Sequence, residues 1–332
     1  MTATSSYATT PQLLRQLTSD LRPTKRGLQV RATGHHVPLT LGTVIDVWRW
    51  TSFERALRKA PKLAPGRVKI AFTPMHARPW YFARSIADYL GAEIVTDIAD
   101  ADVVWAFNDA TFTDEVRVAP HQLALNANCI DVSKTLVGRL SEEVFGSTLT
   151  VDPLTYNGPM VEKSEINGAH DGQIVQGPAP RRRGSVYQRL VDNRIDGGMV
   201  EDLRTTIMGG MPVLVFRKRR SVGERFQNSN SQVEMAELTD VFTPGEINQI
   251  ATFARRLKLD AGGLDVLRDR GTGELFVVDA NKTDMGPPMA LPIEDKLRAT
   301  GLMAEALLRH IDAAGGRNVR TPTLKHPLEV AV

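Results

Sequence analysis

Asp265, Asp279 and Asn281 are oxygen-bearing side chains whose spacing suggests chemistry. Asp279 and Asn281 close the β-branched run Val277–Asn281, and residues two apart on a strand share a face. If the preceding segment folds back across an Asp269–Gly273 turn with Arg268 opposite Glu274, Asp265 falls opposite Val277, on that same face. Three hard oxygen ligands then converge, a set suited to one or two Mg²⁺ ions, with Mn²⁺ as a substitute, and not to zinc or copper. A one-residue change of register would separate Asp265 from the other two.

Magnesium held by carboxylates commonly arrives with phosphates, so cations and backbone donors able to grip them are the next requirement. Lys134 opens a helical segment. Lys163 lies in the apolar strand "MVEKS", where an ammonium is costly to bury unless its head meets an anion. The loop that follows carries Asn167, Gly168 and Gly172, whose N–H groups can turn towards phosphate as backbone nests do. Its His170-Asp171 pair either touches substrate or phosphate or is an ordinary soluble turn. No G-x-x-x-x-G-K-[ST] run exists, and "GTGELF" has neither a third glycine nor a following helix, so a dinucleotide fingerprint fails too. No serine or cysteine stands in a nucleophile setting.

The elements that must position these residues read as two different kinds of structure. "TVIDVWRW" is a short apolar segment followed by the basic, helix-like "SFERALRKA". "RVKIAFTP", "ADVVWAFND" and "QLALNAN" are strands, and "RPWYFARSIADYLGAEIVTD" is an amphipathic helix running into a short strand. Strands alternating with helices predict a parallel sheet over residues 40–127. Beyond it, "DVSKTLVGRLSEEVFG" is a helix with Asp131 or Ser133 as its cap and Gly146 as its stop. "PMVEKSE", "QIVQGP" and "SVYQRLVDNR" are strands, and residues 200–220 form a hairpin about Gly209-Gly210. Thr243 with Glu246 three residues on announces a capping-box helix. The metal-bearing hairpin and a closing helix complete an α+β half.

A chain of 332 residues, 42% hydrophobic and 24% charged, is an ordinary globular composition large enough for two or three packed units. The net charge of +3 does not demand nucleic acid or a membrane. Basic runs stand at Arg181–Arg183 and Arg217–Arg220, but aromatics make up only 6% of the chain and offer no stacking platform, which disfavours nucleic acid. The first run reads as a solvated turn. In the second, Arg217 and Arg219 share one face and Lys218 and Arg220 the other. Cys129 is the single cysteine, which excludes an intramolecular disulfide and favours a reducing compartment. With no signal-peptide core and no membrane-length apolar run, a cytoplasmic location is expected.

The motifs, taken in order, resemble the ATP-grasp superfamily from Asn128 to about Asp312, and their order is most similar to that of bacterial-type glutathione synthetases. "SKTLVGRL" matches the entry lysine helix and "VEKSEINGAHDGQIV" the second lysine with its lid loop. "YQRLVDNRIDGGMVEDLRTTIMGGMPVLVFRKRR" matches the adenine hinge and basic hairpin, "RFQNSN" the arginine–asparagine step, and "GGLDVLRDRGTGELFVVDAN" the metal hairpin. The resemblance implies a pre-ATP-grasp Rossmann-like α/β domain at 40–127, a small lid subdomain at 128–186 and a metal-bearing subdomain at 187–315. The two α+β subdomains would clamp ATP, with tails at 1–39 (partly flexible) and 316–332. It implies phosphate contacts from Lys134 and Lys163, and a hinge of Tyr187, Gln188, Arg189, Leu190 and Val191 reading adenine. Asp192 or Gln188 would reach the ribose. Arg204, Arg225 and Asn228 would stabilise the transferring phosphoryl group, and Asp265, Asp279 and Asn281 would hold magnesium. The chain departs from the family at "NKTDMGPP", where Lys282 and Asp284 either line an acceptor pocket or form a solvated turn.

The expected function is an ADP-forming ligase that activates a carboxylate as an acyl-phosphate and joins it to an amine. Its substrates would be small molecules, and the family resemblance implies a homo-oligomer. Two alternatives are an ATP-grasp kinase acting on a small-molecule or sugar hydroxyl, and a catalytically inert nucleotide- or nucleic-acid-binding protein. Retention of both lysines and the whole metal set argues against the inert reading.

Overall fold

The computed structural model describes residues 21–24, 27–30, 36–38, 40–169, 171–226 and 232–315. Within the stretch expected as a tail, β1 (Leu21–Thr24), β2 (Gly27–Val30) and β3 (His36–Pro38) form a small antiparallel sheet. The next segment differs from the sequence expectation. Leu41–Lys59 is one continuous helix, α1, capped by Thr40, whose side chain accepts from the Thr43 backbone N–H. No Gly or Pro interrupts it after Gly42, so the apolar opening joins the basic half in one element.

The α/β unit follows as β4 (Lys69–Pro74), α2 (Phe82–Leu90), β5 (Glu93–Val95), β6 (Val103–Phe107) and β7 (Leu123–Leu125). Its strands pair in parallel in the order β5-β4-β6-β7, as the alternating pattern predicts. Val103, Val104, Trp105 and Phe107 are almost wholly buried, the near-continuous apolar run of a strand covered on both faces. Tyr81 and Phe107 meet edge to face at 4.9 Å.

Helix α3 (Lys134–Phe145) begins at Ser133, whose hydroxyl accepts from the Leu136 N–H, and stops at Gly146 in the left-handed region. Three strands, β8 (Gly158–Ser164), β9 (Gln173–Gly177) and β10 (Ser185–Arg189), make an antiparallel sheet with β8 in the middle. A larger antiparallel sheet contains β11 (Arg194–Ile195), β12 (Met199–Met208), β13 (Met211–Ser221), β14 (Gln232–Ala236), β15 (Ala261–Arg268) and β16 (Leu275–Asn281). Its β12–β13 turn takes Gly209 and Gly210 to φ 61° and 70°, the two positive values a tight primed turn requires. The remaining helices are α4 (Leu238–Val241), α5 (Pro244–Leu257) and α6 (Ile293–Gly315). Helix α5 starts on the expected capping box, with Thr243 and Glu246 exchanging bonds.

The chain is thus an α/β unit with a parallel sheet followed by an α+β half with antiparallel sheets. Helices α3 and α5 cover one face of the large sheet, burying Val137, Leu140, Ile250 and Phe253 with Leu264, Val266, Val277 and Ala280. On the other face, Met208, Leu214 and Phe216 join the core of the α/β unit and α6. The part of that face carrying Asp265 and Asp279 is left facing a cleft towards the β8–β10 sheet. No helix among the described residues is long and apolar enough to cross a membrane.

Candidate functional site

The site is organised by a register that differs from the expected one. Arg268 pairs with Leu275, not Glu274, one residue off, and Val266 pairs with Val277. Val278 then bulges out and adds a second residue of shift, so Asp265 lies directly opposite Asp279 and not Val277. Two single-residue displacements sum to one full side-chain period, which returns Asp265 to the face of Asp279. The burial pattern agrees: Leu275, Val277 and Ala280 join the helical core, whereas Val278 packs with Leu149, Val191 and Phe276 on the other side.

One strand further across the sheet, Arg204 is the direct partner of Asp265. Its Nη1 meets Asp265 Oδ1 at 2.9 Å and its Nη2 bonds Asp284 Oδ1. Burial pushes the Asp265 carboxyl up, but Arg204 and Lys218 more than offset this and hold it below the usual carboxylate range. Asp279 goes the other way: burial raises it, with Lys134 and Lys163 only partly opposing. Two facing carboxyls driven apart by their surroundings are a mark of a functional pair.

The lysines approach from the opposite wall. Lys134, at the start of α3, is 6% exposed; its Nζ donates to the Ile166 carbonyl and Asn167 Oδ1, both at 3.3 Å, and lies 3.8 Å from Asp279 Oδ1. Lys163 donates to the Val278 carbonyl at 2.9 Å. Burial pushes its ammonium down to about 8, with Asp279 pulling up and Lys134 pushing down. The bulge that shifts the register also supplies that carbonyl. Asn167, expected in a phosphate-gripping loop, donates its own N–H to Thr111 and its amide to the Ala280 carbonyl, so the loop is tied across the cleft.

The cleft takes in most of the expected residues and leaves others aside. Lys134, Lys163, Gln188, Arg189, Leu190, Val191, Arg225, Asp265 and Asp279 all line it. Arg225 donates to the Val191 carbonyl at 3.0 Å, and Phe226 beside it packs on Gly172 of the β8–β9 loop. Tyr187 turns away: its hydroxyl accepts from the Arg182 N–H at 2.9 Å. Asp192 is held by Arg194 through two bonds of 2.7 Å, so its ribose role would require that fork to open. Asn281 Oδ1 accepts from the Thr283 N–H at 2.9 Å and its hydroxyl at 3.2 Å, an Asx-turn, and Asn281 is not among the residues that line the cleft. Of the three expected metal ligands, the structure brings together two. Asn228 and His170 lie outside the described residues.

Neither Lys282 nor Asp284 is a solvated turn. Lys282 is 5% exposed, with Nζ donating to Thr113 Oγ1 and the Cys129 carbonyl, a structural tie and not a pocket wall. Asp284 is an ion-pair partner of Arg204. Asp202 and Asn193 also line the cleft and were not singled out from sequence; Asp202 bonds Arg220, two strand positions from Arg204's own row. Arg217 and Arg219 share Glu201 on the other face, so the alternation read in the basic run holds. Arg181 and Arg182 are mostly exposed and pair with Asp152 and Glu162.

The residues present fit a magnesium–nucleotide complex. Two carboxylates are hard donors, and no third acidic, His or Cys side chain joins them among the described residues. The remaining coordination would fall to phosphate oxygens and water, the usual condition of Mg²⁺ and not of zinc. Buried Lys134 and half-buried Lys163 donate to neutral carbonyl and amide oxygens. Arg204 carries a buried Nε with no hydrogen-bond acceptor.

No family model matches the chain, and no curated protein matches it. Among solved structures it is similar to the ATP-grasp ligase PsnB complexed with minimal precursor, at 13% identity and a TM-score of 0.47 over 74% of this chain and 99% of that one. It is also similar to the macrocyclase MdnC bound with precursor peptide MdnA from Microcystis aeruginosa MRC, at 10% identity and 0.41 over 72% and 99%. A third is a RimK domain protein ATP-grasp from Sphaerobacter thermophilus DSM 20745, at 12% identity and 0.42 over 72% and 99%. At these values the residues of the cleft have to carry any functional reading.

Proposed function

We propose that the chain is an ATP-grasp ligase that uses Mg·ATP to activate a carboxylate and joins it to an amine, releasing ADP and phosphate. The observation that carries this reading is the Asp265–Asp279 cross-strand pair facing Lys134 and Lys163 across one cleft. In this reading Lys134 and Lys163 exchange their carbonyl partners for phosphate oxygens. The apolar side chains of Val161, Leu190, Val191, Leu267 and Val278 flank the base, and backbone groups of 188–191 read its edge. Asp265 and Asp279 would hold magnesium, which supplies neutralisation of the charge shared between the β- and γ-phosphates. Arg204, beside Asp265, and Arg225, on leaving the Val191 carbonyl, would act on the transferring group as preorganised charges on a loose transition state.

The carboxylate oxygen attacks the γ-phosphorus, the P–O bond to ADP breaks, and an acyl-phosphate forms. The amine nitrogen then attacks the acyl carbon and phosphate leaves. Hydroxylamine tests this scheme. With Mg·ATP and a panel of carboxylates that includes short acidic peptides, we expect ADP release and an acyl-hydroxamate. Accumulation of an acid- and amine-stable phosphoester would make the protein a kinase, and absence of nucleotide binding would reject the reading altogether.

A further inference from the structure

Asp284 is a carboxylate in a place where a ligase acting on carboxylates has least reason to keep one. Its oxygen occupies the Nη2 of Arg204, beside the Asp265 that Arg204 also holds. The sheet makes room for it at Gly263: a Cβ there would lie 2.1 Å from Asp284 Oδ2 and 2.6 Å from Arg204 Nε. The backbone around Asp284 is stitched to the α/β unit, with the Phe82 N–H donating to the Asp284 carbonyl at 2.8 Å and the Gly286 N–H to the Trp80 carbonyl at 3.2 Å. Its main chain is therefore anchored by bonds of its own, independent of the side chain's pairing with Arg204. Asp265, in contrast, stands in the middle of two strand ladders.

The cations around Asp284 are not fully used. Arg204 is 6% exposed and its Nε has no acceptor, so Asp284 engages one arm of a fork built for two parallel bonds. Lys218 is half-buried on the adjacent strand, close enough to feel Arg204, Asp265 and Asp284, and makes no hydrogen bond or ion pair to a described residue. A planar oxyanion placed there would take both Nε and Nη2 of Arg204 and the Lys218 ammonium.

We propose that Asp284 is a resident counter-anion on Arg204, which an incoming oxyanion displaces to bind between Arg204 and Lys218. The inference rests on the ligase reading for the identity of that oxyanion: the substrate carboxylate, or the phosphoryl group it receives. Asp284 is then a residue that sets selectivity, because only an anion able to outcompete a tethered carboxylate gains the site.

Calorimetry with inorganic phosphate and, separately, acetate on the full chain tests this without needing the natural substrate. Asp284→Asn is expected to bind phosphate at least about tenfold more tightly than the wild type, with the gain lost in Asp284→Asn/Lys218→Ala. A matching gain for acetate assigns the subsite to the carboxylate, and a gain for phosphate alone assigns it to the phosphoryl group. Equal affinities in wild type and Asp284→Asn overturn the proposal. So does failure of Asp284→Asn to fold, because Asp284 would then be a structural tie. Loss of Mg·ATP binding by the wild type would reject the ligase reading while leaving the phosphate titration decisive for the exchange.

Discussion

Two sets of cations flank the Asp265–Asp279 pair, and they are satisfied in different ways. Lys134 and Lys163, on one side, hydrogen-bond only carbonyl and amide oxygens, with Asp279 3.8 Å from the Lys134 ammonium. Arg204, on the far side, rests on two carboxylates. A neutral acceptor gives way to a phosphate oxygen because the ammonium then faces a full opposite charge in place of a dipole. A carboxylate gives way only to another anion of comparable strength. In the proposed scheme the first side would bind phosphates readily and the second selectively.

Removing charge at the centre of this arrangement should have the largest effect. Asp279→Asn keeps shape and is expected to lower Mg·ATP turnover at least about a hundredfold, the scale on which losing one preorganised charge acts, with the fold intact by circular dichroism. Next comes the nucleotide side alone. Lys163→Ala should weaken ATP binding by about ten- to a hundredfold, the value of one charge-assisted hydrogen bond, as read by calorimetry. Wild-type affinity in that variant would erase the difference between the two sides.

A smaller effect separates lysine from arginine. Because burial brings Lys163 down to about 8, its ammonium is lost as pH rises through that value in the free protein. The dissociation constant for ATP should therefore rise above pH 8, and Lys163→Arg should flatten the profile, since a guanidinium stays charged.

A separate effect, on stability and not on binding, lies in α1, away from the cleft. Burial, reinforced by Asp88, raises the Glu54 carboxyl to about 7, with Arg58, Arg84 and Lys62 opposing. Its folded pKa exceeds the unfolded one, so the stability it contributes is full below the unfolded pKa and is lost as pH rises through 7. Glu54→Gln should remove at most about 3 kcal/mol of ionisation cost at pH 8 and raise the Tm there by several degrees. An unchanged Tm at pH 8 would show that Glu54 is fully compensated by its three cations.

Much of this molecule was legible because its signals are local. Ser133 and Thr243 announce helix starts, Gly146 a stop, and Gly209-Gly210 a hairpin, each through bonds within a few residues. The parallel sheet followed from alternating periods. What escaped was set by tertiary pairing. Nothing between Asp269 and Gly273 signals the bulge at Val278, since a hairpin's register depends on packing across the whole sheet as well as on its turn. The capture of Arg204 by Asp284 spans 80 positions. Asn281 was lost to a short-range competitor instead, the Asx-turn onto Thr283.

In the proposed scheme Asp265 and Asp279 together gather magnesium for a triphosphate, and calorimetry with a non-hydrolysable ATP analogue reads this out. Wild-type protein should bind the analogue at least about tenfold more tightly with Mg²⁺ than with EDTA, and Asp279→Asn should show no such difference. An equal dependence on Mg²⁺ in the two proteins, or none in the wild type, would contradict the account.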